Sequence, residues 1–336
     1  MALRHHCDHV KWHFEHTLNY DIIGDIHGHA DKLEALLTKL GYQHSADAWR
    51  HSGRQAIFVG DFIDRGPAQE RSVDIVRHMV DRGAAQAVLG NHELNAIAWH
   101  TPDLRHPGEY LRPHFSELYG ESNRRQHAKF LAEVEHRPSV HAEIIDWFLT
   151  LPLWLDLPDF RVVHACWHSA FIDWLSPQLD GASRLTRSLV LPATDEPEDT
   201  EKDSGTPSVF KAVEAVTKGI EIPLPPGHSF VDKDGIVRRR VRVRWWDPNA
   251  ITYRSLAMLS LTDSAGFPEL PIPEHARVRV GNKPVFFGHY WLTGAPSLQT
   301  NRCACVDYSA GKGGALVAYR FEGDCELSGE NFVWVV

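Results

Sequence analysis

Ala56-Ile57-Phe58-Val59-Gly60-Asp61-Phe62-Ile63-Asp64-Arg65-Gly66 is the stretch that decides the fold. Four apolar residues with no polar interruption read as a strand buried on both faces, and glycine ends it. Two carboxylates and an arginine follow at once, where a strand hands over to a loop. The same arrangement occurs upstream, where Tyr20-Asp21-Ile22-Ile23 runs into Gly24-Asp25-Ile26-His27-Gly28. It occurs again downstream, where Ala85 to Leu89 runs into Gly90-Asn91-His92-Glu93. Between these strands lie two stretches of helical period. One is Asp31 to Leu40, with Leu33, Leu36, Leu37 and Leu40 on one face and Gly41 as its stop; the other is 68–82, with Val73, Val76 and Val80. Strand, helix, strand, helix, strand is the signature of a layered α/β fold.

Two later apolar strands also end in histidine, at Val162-Val163-His164-Ala165 and Phe286-Phe287-Gly288-His289. Ligands of open α/β sheets collect at the carboxyl ends of strands, so all five segments are candidates for one crevice. Asp, Asn and His are oxygen and nitrogen donors, which suit manganese, iron, zinc or cobalt better than a thiolate-seeking ion. Six such donors suffice for two ions if one carboxylate bridges. A pair of ions ~3.5–4 Å apart can clamp a phosphoryl group and lower the pKa of a bound water from ~15.7 to about 7, giving a hydroxide that attacks phosphorus directly. Each motif alone has a plainer reading. Gly-Asp is common in turns, and Gly-Asn-His-Glu by itself suits a helix start. Their joint occurrence, in order and each after a strand, does not.

The three motifs Gly-Asp-x-His-Gly, Gly-Asp-x-x-Asp-Arg-Gly and Gly-Asn-His-Glu resemble those of the calcineurin-like metallophosphoesterases, and most closely their phosphoprotein-phosphatase branch. That branch includes serine/threonine phosphatases, phage-type phosphatases and symmetrical diadenosine tetraphosphate hydrolases. The resemblance implies a four-layer α/β/β/α sandwich of two mixed sheets. It implies Asp25, His27 and Asp61 on one metal, Asp61 bridging, and Asn91, His164 and His289 on the second. His92, held by Asp64, would protonate the leaving oxygen, and Arg65 would grip phosphate oxygens with its planar donor fork. Two divalent ions are the implied cofactors, with manganese the first choice. The fourth motif departs from the eukaryotic protein phosphatases: His164-Ala165-Cys166 stands where they carry His-Gly-Gly. The family's second phosphate-binding arginine is sought in Arg238 to Arg244, where Val241 and Val243 alternate with Arg240, Arg242 and Arg244; Arg244 is the expected one.

The expected activity is metal-dependent hydrolysis of a phosphomonoester, a protein phosphatase included. A nucleoside polyphosphate such as diadenosine tetraphosphate is the alternative substrate, and a non-catalytic phosphate-binding module a third reading, which the intact donor set disfavours. A polyphosphate groove would need stacking aromatics, for which Trp99, Trp167, Trp174, Trp245, Trp246, Tyr290 and Trp291 are available. The expected partner is therefore a phosphorylated protein, nucleotide or small ester.

The rest of the chain narrows the class. It has 336 residues, 43% hydrophobic and 24% charged, with a net charge of −9. That charge disfavours nucleic acid and anionic membranes as partners. No apolar run reaches the ~18 residues of a membrane span, and the start carries no secretory pattern, so a cytoplasmic location is expected. Five scattered cysteines form no disulfide framework pattern, and Cys303 and Cys305 read as strand residues. Residues 1–18, rich in histidine, read as an irregular lead-in to a single domain over 19–336. Helical content at 101–150 and an insert at 179–235 are expected to cap the site. Within the insert, the acidic stretch 192–207 reads as a solvated loop, and Arg277–Val280 as one of the later strands.

Overall fold

The computed structural model describes residues 19–231, 237–257 and 267–336; the histidine-rich lead-in lies outside them. Two sheets carry the architecture. The larger runs, in spatial order, Asp307–Tyr308, Ala315–Phe321, Asn19–Ile23, Arg54–Phe58 and Ala85–Ala87, with Phe332–Val335 also paired to Ala315–Phe321. Its three early strands are parallel, and Ala315–Phe321 runs antiparallel to Asn19–Ile23, so the sheet is mixed. The smaller sheet is ordered Cys303–Cys305, Val285–Phe287, Arg161–Val163, Trp154–Asp156. Its last pair is an antiparallel hairpin that turns at Pro158-Asp159.

Period-two alternation assigns each strand residue to a layer. Ile22, Ile57, Val317 and Tyr319 of the larger sheet meet Val162, Phe286 and Ala304 of the smaller in one buried cluster. The ring of Phe286 lies 5.0 Å from Tyr319 and 5.6 Å from Phe160, so the sheets are face to face. Ile23 and Phe58 point the other way, toward Leu33, Leu36 and Leu37 of helix Ala30–Leu40 and Val73 and Val76 of helix Gln69–Asp81. Behind the smaller sheet, Val285, Phe287 and Cys303 pack with Val213, Val216, Trp245 and Trp246. These are the layers of the expected α/β/β/α sandwich.

Three expectations need correction. Arg277–Val280 is not a strand: both flanks of Val285–Phe287, the strand that follows it, are taken by Arg161–Val163 and Cys303–Cys305. The acidic stretch is not simply solvated. It holds the end of helix Arg187–Thr194 and the turn Asp199–Lys202, and its carboxylates pair outward, Asp195 with Arg105 and Asp203 with Arg240, both at 2.6 Å. Cysteine chemistry is also less uniform than the scatter suggested: Cys166, Cys303 and Cys305 are free and buried, whereas Cys325 is disulfide-bonded. No helix among the described residues is long and apolar enough to cross a membrane.

Candidate metal centre

All five strand-end segments converge. Asp25 and His27 follow Asn19–Ile23, Asp61 and Asp64 follow Arg54–Phe58, and Asn91 and His92 open helix Asn91–His100. His164 and His289 follow strands of the smaller sheet. Each of these eight side chains is buried. Backbone bonds weld the loops together. The Ile26 and His27 amides donate to the Asp61 carbonyl, and Gly288 donates to the carbonyl of His164. Glu93, in the first turn of its helix, accepts from the backbone N–H groups of Asp61, Phe62 and Gly90 at 2.8, 2.8 and 3.1 Å. The helix start and the second motif are thus one unit.

The backbone is strained where the site is. Nine non-glycine residues among those described have positive φ, and His27, Asp61, Asp64, Arg65, His289 and Trp291 are six of them. Such conformations cost roughly 1–3 kcal/mol each and survive only where the surroundings enforce them. Gly288 serves a different need. A Cβ there would lie 2.0 Å from Oδ1 of Asp25, so only glycine lets the fifth segment approach the first.

Asp61 is the centre of the cluster. Its Oδ2 lies 3.7 Å from His27 Nε2 and 3.8 Å from His92 Nε2, and its Oδ1 lies 3.4 Å from His164 Nε2. Donor atoms of His27, Asp61 and His92 fall within 4.8 Å of one another, as do those of Asp61, His164 and His289. Two groups sharing one carboxylate is the arrangement a bridged pair of ions requires.

Hydrogen bonding fits cations as well. His27 Nδ1 donates to the Ile63 carbonyl at 3.0 Å and His164 Nδ1 to the Val59 carbonyl at 2.7 Å. Each ring therefore turns Nε2 inward, the tautomer that a backbone carbonyl behind the ring imposes on a metal-ligating histidine. His164 Nε2 then faces Asn91 Oδ1 at 3.1 Å and Asp61 Oδ1 at 3.4 Å, three electron-rich atoms that a cation would reconcile. Asp25 Oδ1, His27 Nε2 and His289 Nε2 are buried without a hydrogen-bond partner among the described residues. Asn91 Oδ1 also meets His289 Nδ1 at 2.7 Å, and Asp25 Oδ2 accepts the His289 amide at 3.0 Å.

The electrostatics agree. Burial, then the nearby charges of Asp307 and Asp61, drive the Asp25 carboxyl well up. Burial, then His92, pushes His27 down to about 3, which keeps its imidazole neutral and available as a ligand. Burial and Arg242 likewise lower His289. Burial acts against charge on Asp61 too, yet His164 and His92 hold it well below the usual carboxylate range.

His92 differs from the other histidines. Its Nδ1 lies 2.5 Å from Asp64 Oδ2, leaving Nε2 toward the cluster. Burial opposes its protonation, but Asp61 and Asp64 raise its pKa overall. Arg65, one residue from Asp64, is exposed, with its guanidinium 4.3 Å from the centre of the Trp291 ring. That ring stacks on His27 at 5.0 Å and has Lys312 Nζ at 4.4 Å.

Arg244 is not brought into this cluster. Its guanidinium is held by the Ser255 carbonyl. Arg242, bonded to Glu221 at 3.0 Å, is the arginine whose charge reaches His289. Three residues near the cluster were missed from sequence, and a fourth, Trp291, was offered only among the stacking aromatics. Asp307 lies buried beside Asp25, accepting from the Trp291 and Ser309 amides. His127 touches Asp64 at 2.8 Å. Trp291 and Lys312 complete the rim. None belongs to a motif; only the position of Asp307 just after a buried strand could have signalled it.

A family model described as calcineurin-like phosphoesterase matches residues 18–210. The chain belongs to the calcineurin-like phosphoesterase family. It is therefore a metal-dependent hydrolase, and its sandwich is that of this phosphoesterase family. Curated relatives match a short segment only. The asymmetrical bis(5'-nucleosyl)-tetraphosphatase PrpE of Halalkalibacterium halodurans is 45% identical over 76 residues, 22% of this phosphoesterase and 31% of that protein. The protein of the same name from Bacillus subtilis is 43% identical over 77 residues, 22% of this chain and 30% of that one. The chain thus spans under a third of the length of these relatives. Among solved structures, a protein described as a putative diadenosine tetraphosphatase aligns over 95% of this chain and 93% of its own, at 18% identity and a TM-score of 0.42. A serine/threonine phosphatase from Saccharomyces cerevisiae aligns over 95% and 79%, at 13% identity and a TM-score of 0.44.

Proposed function

We propose that this protein hydrolyses phosphomonoesters with two divalent ions, manganese first among them. Asp25, His27 and Asp61 would hold one ion; Asp61, Asn91, His164 and His289 the other. Bound there, the pair would supply an attacking water of lowered pKa and countercharge for the phosphoryl oxygens. The protein's own groups do the rest. Arg65 draws the phosphate oxygens toward the cluster, and Trp291 braces its guanidinium. His92 gives its Nε2 proton to the leaving oxygen, while Asp64 holds the opposite side of the ring. The observation that carries this reading is the 2.5 Å contact of His92 Nδ1 with Asp64, which aims the other ring nitrogen at the donor cluster. Proximity alone would suit His92 as a ligand; its separate carboxylate partner favours the role of acid.

The substrate class rests on the rim. A phosphoprotein or a small phosphate ester needs only Arg65 and the metal cluster. A nucleoside polyphosphate is the second reading. It is favoured by a second cation, Lys312, on the same indole as Arg65, and by the names of the PrpE relatives. Arg244 would contribute to phosphate binding only by leaving Ser255. The helices within 101–150 and the insert at 179–235 would narrow access to the site.

The test is a substrate panel with manganese-loaded protein: p-nitrophenyl phosphate, a phosphopeptide, diadenosine tetraphosphate, nucleotides and sugar phosphates, compared by kcat/KM. Hydrolysis that EDTA abolishes is the expected result. Inactivity with every divalent ion on the whole panel would refute the enzyme reading.

A further inference from the structure

Asp64 serves two histidines. Its Oδ2 accepts a hydrogen bond from His92 Nδ1 at 2.5 Å and has His127 Nδ1 in close but poorly aligned contact at 2.8 Å, and all three side chains are buried. His127 joins helices Gly120–Gln126 and Ala128–Val134, so it reaches the site from the 101–150 segment rather than from any strand end. An aromatic column stands behind it. Tyr110 stacks on His114 at 3.9 Å, His114 on Trp99 at 3.6 Å, and the Trp99 ring meets His127 edge-on at 6.1 Å. Arg112 from the same segment is also near enough for its charge to act with Asp64. The other ties on Asp64 are few. Its amide donates to Gln69 Oε1 at 2.5 Å, its Oδ1 has no hydrogen-bond partner among the described residues, and its backbone is held at φ 73°.

We infer that His127 is a positioning residue that fixes the Asp64 carboxylate and, through it, the ring of His92. A carboxylate anchored from one side only by His92 would be free to turn with that ring. Gripped from the second side, it becomes a fixed post. This rests on the phosphoesterase reading and on His92 as its acid. In that reaction a water oxygen bonds to phosphorus and the P–O bond to the leaving group breaks. The bonding pair stays on the leaving oxygen, which takes the His92 Nε2 proton; a proton from the attacking water returns to the imidazole by way of solvent. Misaligning His92 therefore harms only those substrates whose leaving oxygen needs the proton.

That dependence separates positioning from stability. A histidine that merely neutralised a buried carboxylate would, once removed, lower turnover of all substrates alike. The experiment compares kcat on ethyl phosphate, a poor leaving group, with kcat on 2,4-dinitrophenyl phosphate, which departs unprotonated. His127→Ala is expected to lose at least about tenfold on the first and under about twofold on the second, the scale of lost orienting partners around such sites. His127→Asn, whose amide can stand where Nδ1 stands, should restore the wild-type ratio. His127→Gln, whose amide matches the other ring nitrogen, should not, and it serves as the second variant if His127→Ala fails to fold. Equal losses on both substrates, no loss on either, or matching ratios for Asn and Gln would overturn the inference. Wild-type protein that turns over neither substrate would defeat the phosphomonoester reading, and this inference with it.

Discussion

Gly288→Ala adds one methyl group to a residue that has no functional side chain, yet it is expected to cripple the centre. The new Cβ would stand 2.0 Å from Asp25 Oδ1 and 2.8 Å from Val59 Cγ2, where real Cβ atoms keep at least 3.0 Å. Val59 is locked between the sheets, so the Asp25 carboxylate or the His289 loop has to retreat by about 1 Å. The two are tied by the 3.0 Å bond from the His289 amide to Asp25, so both proposed metal sites are disturbed together. A misplacement of about 1 Å costs on the order of 10²-fold in rate, or about 2.7 kcal/mol of transition-state stabilisation. Overpacking should also cost ~1–3 kcal/mol of stability, which a thermal melt would report. The assay is kcat/KM on p-nitrophenyl phosphate with bound manganese counted by mass spectrometry. Gly53→Ala, where no atom lies within 4 Å of the added methyl, is the control and should match wild type. A folded Gly288→Ala protein that keeps both ions and turns over within threefold of wild type would show that Asp25 is not held where the geometry puts it.

Other substitutions probe the proposed acid, a buried histidine and the layer between the sheets. His92→Asn should lower kcat by roughly 10²–10⁴-fold, the usual worth of a general acid, with metal content intact; loss of metal in that variant would make His92 a ligand instead. His141, packed against His100 and Phe130, is pushed down to about 4 by burial and by His100, against ~6.5 in an unfolded chain. Between those values the unfolded chain binds a proton that the folded one refuses, so stability present above pH ~6.5 drains away as pH falls toward 4. His141→Gln should flatten the fall in urea midpoint from pH 7 to pH 5, and an unchanged slope would refute the assignment. Phe286→Ala opens the layer between the sheets and should cost ~3–5 kcal/mol by urea unfolding; a loss under about 1 kcal/mol would mean that the sheets do not meet there.

The sequence by itself determined the early strands, the two helices between them and the whole list of donor types at the strand ends. Those features are local. A four-residue apolar run, a leucine every three or four positions and a glycine stop are read within one window, and each donor sits a residue or two beyond. The same locality explains the misreadings. Arg277–Val280 alternates like a strand, but pairing needs a neighbour, and both flanks of Val285–Phe287, the strand that follows it, are taken. Arg240, Arg242 and Arg244 share one alternation, and only the fold sets Arg242 by His289 while tying Arg244 to Ser255. The acidic stretch carries no clue to the distant Arg105 and Arg240 that its carboxylates meet. Tertiary structure alone decided that His127, Asp307, Trp291 and Lys312 gather around the centre. Their approach depends on the orientation of a helical segment and on the return of the last strands, which bring together residues more than 200 positions apart in the chain. Chain-local forces choose which donors stand at a strand end. The packing of one sheet on another chooses what holds them in place.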